Sequence, residues 1–193
     1  PIIFSFFLER FEQWSISFFA NKDSKRFFFE DKVNTEPKQP IAITTITAKD
    51  ITENLSKETA VYRLGHSTIL MALNGELWMS DPVFSERASP VQWAGPKRFH
   101  PTPIDVATLP NIKGIVISHD HYDHLDKNTI KQIHPKVGGF YVPLGVGQHL
   151  VDWGVPEEKI HEMDWWQEKQ VGNIKLVNTP ANHFSGRSLT DGN

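Results

Sequence analysis

The sequence predicts a mixed α/β (α+β) fold, and three observations carry the prediction. Short strand-like runs alternate with turns from Val61 onward. Asn74-Gly75 stands between two of those runs as a hairpin signal. Asp126 occupies the N-cap position ahead of a helical run that Pro135 closes. With 193 residues, 39% hydrophobic and 22% charged, the chain has material for one domain with a sizeable core.

Taken in order, residues 1–29 are rich in aromatics, and Phe7, Phe11, Trp14 and Phe18 recur at spacings of three and four. That is one apolar face of a helix, fit to pack on its own domain or a partner subunit, or to lie in a membrane interface. Glu9, Arg10 and Glu12 break the apolar runs, which fall short of the roughly 20 residues a membrane span needs. Residues 31–60 are polar, hold Pro37 and Pro40, and read as a connecting arm, so the expected division is an N-terminal helix and arm over 1–60 and a folded domain over 61–193.

Strands are expected over 61–64, 68–73, 76–79 and 114–118, a helix over 127–134, a strand over 139–142, a helix over 146–153 and a strand over 172–178. Asp191-Gly192-Asn193 is turn-like with no closing element, and the chain opens on Pro1, so both ends are expected to be trimmed.

Composition excludes several chemistries. There is no cysteine, which removes disulfides, thiolate metal sites and cysteine nucleophiles together. A net charge of −3 gives no field that would draw a nucleic acid. Gly145-Val146-Gly147 lacks the Lys-Ser/Thr of a phosphate loop, and Ser67 and Ser118 lack a nucleophile elbow.

What remains is a dense ligand cluster. The apolar run 114–117 delivers the chain through Ser118 into His119-Asp120-His121-Tyr122-Asp123-His124. In an extended turn the side chains of 119, 121 and 123 point to one side and His124 elsewhere, which suits two adjacent metals. Imidazole and carboxylate are the ligands zinc takes without thiolate, at about 2.0–2.2 Å. His119 and His121 are expected to hold one ion, and Asp123 and His124 the second. His183 follows the strand-like 174–178 and is the expected third imidazole for the first ion.

At this point the chain resembles the metallo-β-lactamase superfamily and, within it, the N-acylphosphatidylethanolamine-hydrolysing phospholipase D group. The resemblance runs from Val61 to Asn193 and includes Gly65-His66-Ser67-Thr68, Asp81-Pro82-Val83-Phe84-Ser85, Gly95-Pro96-Lys97-Arg98-Phe99, Asp164-Trp165-Trp166 and Thr179-Pro180-Ala181-Asn182-His183-Phe184. It implies an αββα sandwich of which this chain holds the N-terminal portion. It implies two zinc ions, one on His119, His121 and His183 and one on Asp123 and His124, with a hydroxide bridging them, so that Asp123 and His124 belong to the catalytic centre. The family's bridging aspartate and last histidine have no counterpart before Asn193, and Asp191 is too close to His183 to be that aspartate.

The activity so implied is phospholipase D-type hydrolysis of an N-acylated ethanolamine phospholipid. A lactone or ester hydrolase with the same metals is the alternative, and a catalytically incomplete metal-binding fragment is the non-enzyme reading. Four more residues are weighed beside the site. His66 is expected to order a loop or support a ligand, and Asp81 either to fix a ligand histidine's tautomer or to form a simple Asp-Pro turn. Lys97 and Arg98 form a small basic spot, either simply solvated or able to receive a phosphate or head group. His100, His134, His149 and His161 show no ligand spacing and are expected as surface or helix-end residues, and Trp165-Trp166 is expected to fill a core rather than line an acyl groove. A homodimer is compatible with this reading, no nucleic-acid partner is expected, and the expected location is cytoplasmic or peripheral to a membrane through residues 1–29.

Overall fold

The computed structural model describes residues 36–55 and 59–181, together with 183, 185 and 187. The aromatic face over 1–29 and Asp191 lie outside the described residues. Among those described, no helix is long and apolar enough to cross a membrane.

Six strands form one sheet in the order β1 (Ala60–Arg63), β2 (Ile69–Leu73), β3 (Glu76–Ser80), β4 (Gly114–Val116), β5 (Phe140–Pro143) and β6 (Ile160–Met163). The first two pairings are antiparallel and the remaining three parallel. The β2–β3 hairpin turns on Asn74 and Gly75, at φ 51° and 80°. This is the left-handed pair that a two-residue turn needs to match strand twist. A second, two-stranded antiparallel sheet pairs β7 (Glu168–Val171) with β8 (Ile174–Val177).

The sheet is covered on both faces, which is why its central strands read as unbroken apolar runs. Leu70, Leu77, Met79, Ile115 and Phe140 point into a core shared with Ile51 of α1 (Ala48–Leu55), Ile130 and Ile133 of α2 (Lys127–Ile133) and Leu150 of α3 (Gly147–Asp152). Met71, Leu73, Trp78, Val116 and Tyr141, one residue out of step with the first set, pack against Ile174 and Leu176 of the β7–β8 hairpin. Helices on one face of a sheet and a second sheet on the other are the first layers of an αββα sandwich.

Three local expectations change. Helix α1 lies inside the segment expected to be a connecting arm, and Ile51 buries it in the domain core. Its start is set by a reciprocal pair in which the Thr47 N–H donates to the Asp50 carboxylate (2.8 Å) and the Asp50 N–H to the Thr47 hydroxyl (3.2 Å). The strand expected over 172–178 begins later, at Ile174, because Gly172 (φ 56°) belongs to the turn that joins it to β7. Strands β6 and β7 carry His, Glu, Lys and Gln and are half-exposed, so they lack the apolar signature that marks the buried strands. Trp165 and Trp166 occupy the β6–β7 connection and are 60% and 68% exposed, not in a core. Trp166 is held there at φ 64°, with its N–H on the Asn178 carbonyl.

Candidate metal centre

Strands β1, β3, β4, β5 and β6 all run in one direction, so the loops leaving their carboxyl ends gather on one edge of the sheet. That edge collects His66 after β1, Asp81 after β3 and the 118–124 loop after β4. Ligand sites of α/β sheets form at such an edge because strand ends place short loops side by side there.

The loop itself is not extended. The His121 carbonyl accepts from the N–H groups of both His124 (3.0 Å) and Leu125 (2.8 Å), closing a turn. The turn carries Asp123 away from the face that 119 and 121 were expected to share with it and sets it beside His124. The Ser67 hydroxyl fixes the apex by donating to the Asp123 carbonyl (2.6 Å).

Two donor groups result. His119, His121 and His183 bring one ring nitrogen each within 4.8 Å of the others. Their ring centroids stand 4.5–4.6 Å apart, and His183 Nε2 is 3.2 Å from His121 Nδ1. His66, Asp123 and His124 form the second group, with His66 Nε2 3.3 Å and His124 Nε2 3.7 Å from the same Asp123 oxygen. The groups adjoin through His119 and His124, whose centroids are 4.0 Å apart. All five residues expected to be metal ligands are thus brought together. His66, expected as a loop-ordering or supporting residue, stands among the donors themselves.

Asp81 organises both groups from below. It is buried, sits at φ 40°, and its carboxylate accepts from the Ser118 N–H (2.7 Å), the Ser118 hydroxyl (2.8 Å) and His124 Nδ1 (2.8 Å). A non-glycine residue in the left-handed region costs of order 1–3 kcal/mol, a strain that tends to collect at functional sites. With His124 Nδ1 engaged, the ring turns Nε2 toward Asp123. Ser118, its hydrogen given to Asp81, accepts from His119 Nδ1 (2.9 Å), the tautomer that leaves a lone pair on Nε2.

The electrostatics oppose charge on His119 and His183. Burial, then the neighbouring rings of His124, His121 and His183, push His119 down to about 3. His183 is lowered for the same reasons. At His124 burial also opposes charge, but the hydrogen bond and charge of Asp81, with Asp123, outweigh it and raise the pKa. Neutral imidazoles beside a carboxylate are the donors a divalent transition ion takes, so the residues present fit such an ion.

Two expected basic residues are otherwise employed. Arg98 donates to the carbonyls of Ser85 (3.0 Å) and Val83 (2.8 Å), and Lys97 pairs with Glu86 (2.7 Å). Both side chains brace the 83–98 loop. One residue escaped the sequence reading. Asp120 is buried, accepts from the Ser185 hydroxyl and lies 3.7 Å from His149 in the last turn of α3. Burial would raise its carboxyl, yet the hydrogen bonds from His149 and Ser185 and the charges of His149 and Arg187 hold it at about 2. No ligand spacing links Asp120 to these partners, because Ser185 lies 65 residues away.

An α/β sheet layered between helices and a second sheet, with two adjoining His/Asp donor groups at its strand ends, defines a metal-binding protein of the metallo-β-lactamase fold. A family described as "Beta-lactamase superfamily domain" matches residues 79–193, and the chain belongs to it. An uncharacterised protein of Mycobacterium tuberculosis is 44% identical over 153 residues, covering 79% of this chain and 41% of its own length. N-acyl-phosphatidylethanolamine-hydrolyzing phospholipase D 1 of Caenorhabditis elegans is 38% identical over 140 residues, 67% of this chain and 39% of that protein. The crystal structure of CmlA, a diiron beta-hydroxylase from Streptomyces venezuelae, superposes with a TM-score of 0.50 at 27% identity over 64% of this chain and 24% of that one. The chain spans about two fifths of the length of the curated relatives it matches.

Proposed function

We propose that this chain carries the principal metal-binding part of a dinuclear, zinc-dependent hydrolase acting on the phosphodiester of an N-acylated ethanolamine phospholipid. One observation carries the reading: two His/Asp donor groups, assembled from three separate segments, share a wall at His119 and His124. His119, His121 and His183 would hold one ion, and His66, Asp123 and His124 the other. Two ions held by these residues would supply a nucleophile from water at neutral pH and would stabilise charge on phosphoryl or acyl oxygens.

The protein's own residues orient the donors. Asp81 and Ser118 set the tautomers of His124 and His119, and the turn on the His121 carbonyl keeps Asp123 beside His124. Leu144 and the Trp165-Trp166 pair, all exposed, follow the carboxyl ends of β5 and β6 on the metal edge, and they offer apolar surface for acyl chains. The phospholipase D relative supports the substrate class. Docking of residues 1–29 on a membrane surface belongs to the same proposal and would place the protein in the cytoplasm or at a membrane periphery.

The test uses the full-length protein. Metal content by mass spectrometry is expected to give two zinc ions per chain. Hydrolysis of an N-acylated ethanolamine phospholipid is expected to exceed that of a lactone of similar chain length, and liposome binding to fall when residues 1–29 are removed. Preference for the lactone would move the assignment to the esterase reading. Because the diiron hydroxylase shares the fold, two irons in place of zinc would overturn the metal assignment.

A further inference from the structure

The first donor group depends on a residue far away in the chain, since His183 lies 62 positions after His121. Something must hold that imidazole in place, and the structure shows what does. His183, Ser185 and Arg187 are spaced by two, which in an extended chain puts their side chains on one side. All three land on the 120–125 loop. His183 meets His121, the Ser185 hydroxyl donates to the buried Asp120, and the Arg187 guanidinium donates to the Leu125 carbonyl. That guanidinium also lies over two rings, 4.5 Å from the centroid of Tyr122 and 4.9 Å from that of Trp153. Tyr122 closes the contact from the other side by donating its hydroxyl hydrogen to the Arg187 carbonyl (3.2 Å).

We propose that Ser185 and Arg187 form a latch that seats His183 against His119 and His121, which makes Arg187 a positioning residue for the first metal. This rests on the metal-site reading above. The chemistry selects arginine, because a planar guanidinium can lie over aromatic rings while still donating to a carbonyl. Lysine would keep the charge but lose the stacking plane. Asp120 supplies the acceptor for Ser185, and His149 on α3 flanks the same carboxylate, so the latch also ties the loop to α3.

Two measurements on Arg187→Ala, Arg187→Lys and Ser185→Ala test it. Cobalt(II) titration followed by visible absorption reads each ion separately, and proton NMR of the metal-free protein reads ring-to-ring contacts between His121 and His183. Loss of a supporting contact typically weakens a metal about 10- to 100-fold. One of the two cobalt affinities is therefore expected to fall at least about tenfold in Arg187→Ala and Arg187→Lys, with the other essentially unchanged. The His121–His183 contact is expected to vanish without metal, at an unchanged urea midpoint. Ser185→Ala is expected to show the same pattern more weakly. Retention of the ring contact in Arg187→Ala would overturn the latch, as would equal loss of both ions together with a lowered urea midpoint. A wild-type protein that takes up no cobalt would instead sink the metal-site reading, and the ring contact would still decide the latch.

Discussion

At the scale of single residues, Asp81 carries the most chemistry for its size. Its carboxylate receives three hydrogen bonds, and its backbone holds a strained conformation to do so. Asp81→Asn keeps the shape but replaces one acceptor oxygen by a donor, so His124 Nδ1 loses the partner that sets its tautomer. The affinity of the second ion is expected to fall about 10- to 100-fold while the first changes little, measured by competition with a chromophoric chelator. Unchanged affinities would show that the tautomer is set elsewhere. His66 gives the complementary case: its side chain is 71% exposed, yet its Nε2 stands in the second donor group. His66→Ala is expected to weaken the second ion about tenfold with no loss of stability, and an unaltered affinity would reduce His66 to a loop residue.

At the scale of elements, the metal loop is only as firm as β4 and α2 on either side of it. A methyl group on Gly114 would meet the buried Trp78 ring at 2.4 Å, so this strand reaches its register beside β3 only with no side chain there. Gly114→Ala is expected to destabilise the fold by about 1–3 kcal/mol, read as a shift in the urea midpoint at unchanged slope. Asp126 accepts from the Asn128 N–H, the Thr129 hydroxyl and the Ser85 N–H, capping α2 and anchoring the loop that follows Asp81. Asp126→Ala is expected to cost about 0.5–2 kcal/mol from the cap alone, by the same measurement. The cap was visible in the sequence because capping acts over three residues. The tie to Ser85, 41 positions away, was not.

At the scale of the whole molecule, the sheet works as a platform with both faces filled, and the hairpin β7–β8 that fills the second face also leads to the segment bearing His183. Metal binding and folding should therefore be coupled. An ion that binds only the native state adds about 2.7 kcal/mol when its concentration is 100 times its dissociation constant. Stripping the metals with a chelator is expected to lower the melting temperature, and re-adding zinc to restore it, as followed by calorimetry. A melting temperature indifferent to chelation would mean that the donor groups hold no ion in solution.

What the sequence by itself determined is local: the ligand-dense run from His119 to His124, the Asn74-Gly75 turn, the Asp126 cap and the apolar strand that leads into the loop. These rest on side-chain periodicity and on hydrogen bonds that span a few residues, and both are written in spacing. The tertiary structure alone decided which distant groups meet. It seated His183 and His66 at the loop, withdrew Lys97 and Arg98 into pairing with nearby backbone and Glu86, buried Asp120 beside His149 and left Trp165 and Trp166 outside. The physical reason is that convergence follows from strand order and direction. Parallel strands bring the ends of separate segments to one edge, and no short-range pattern encodes which side chains will face one another there.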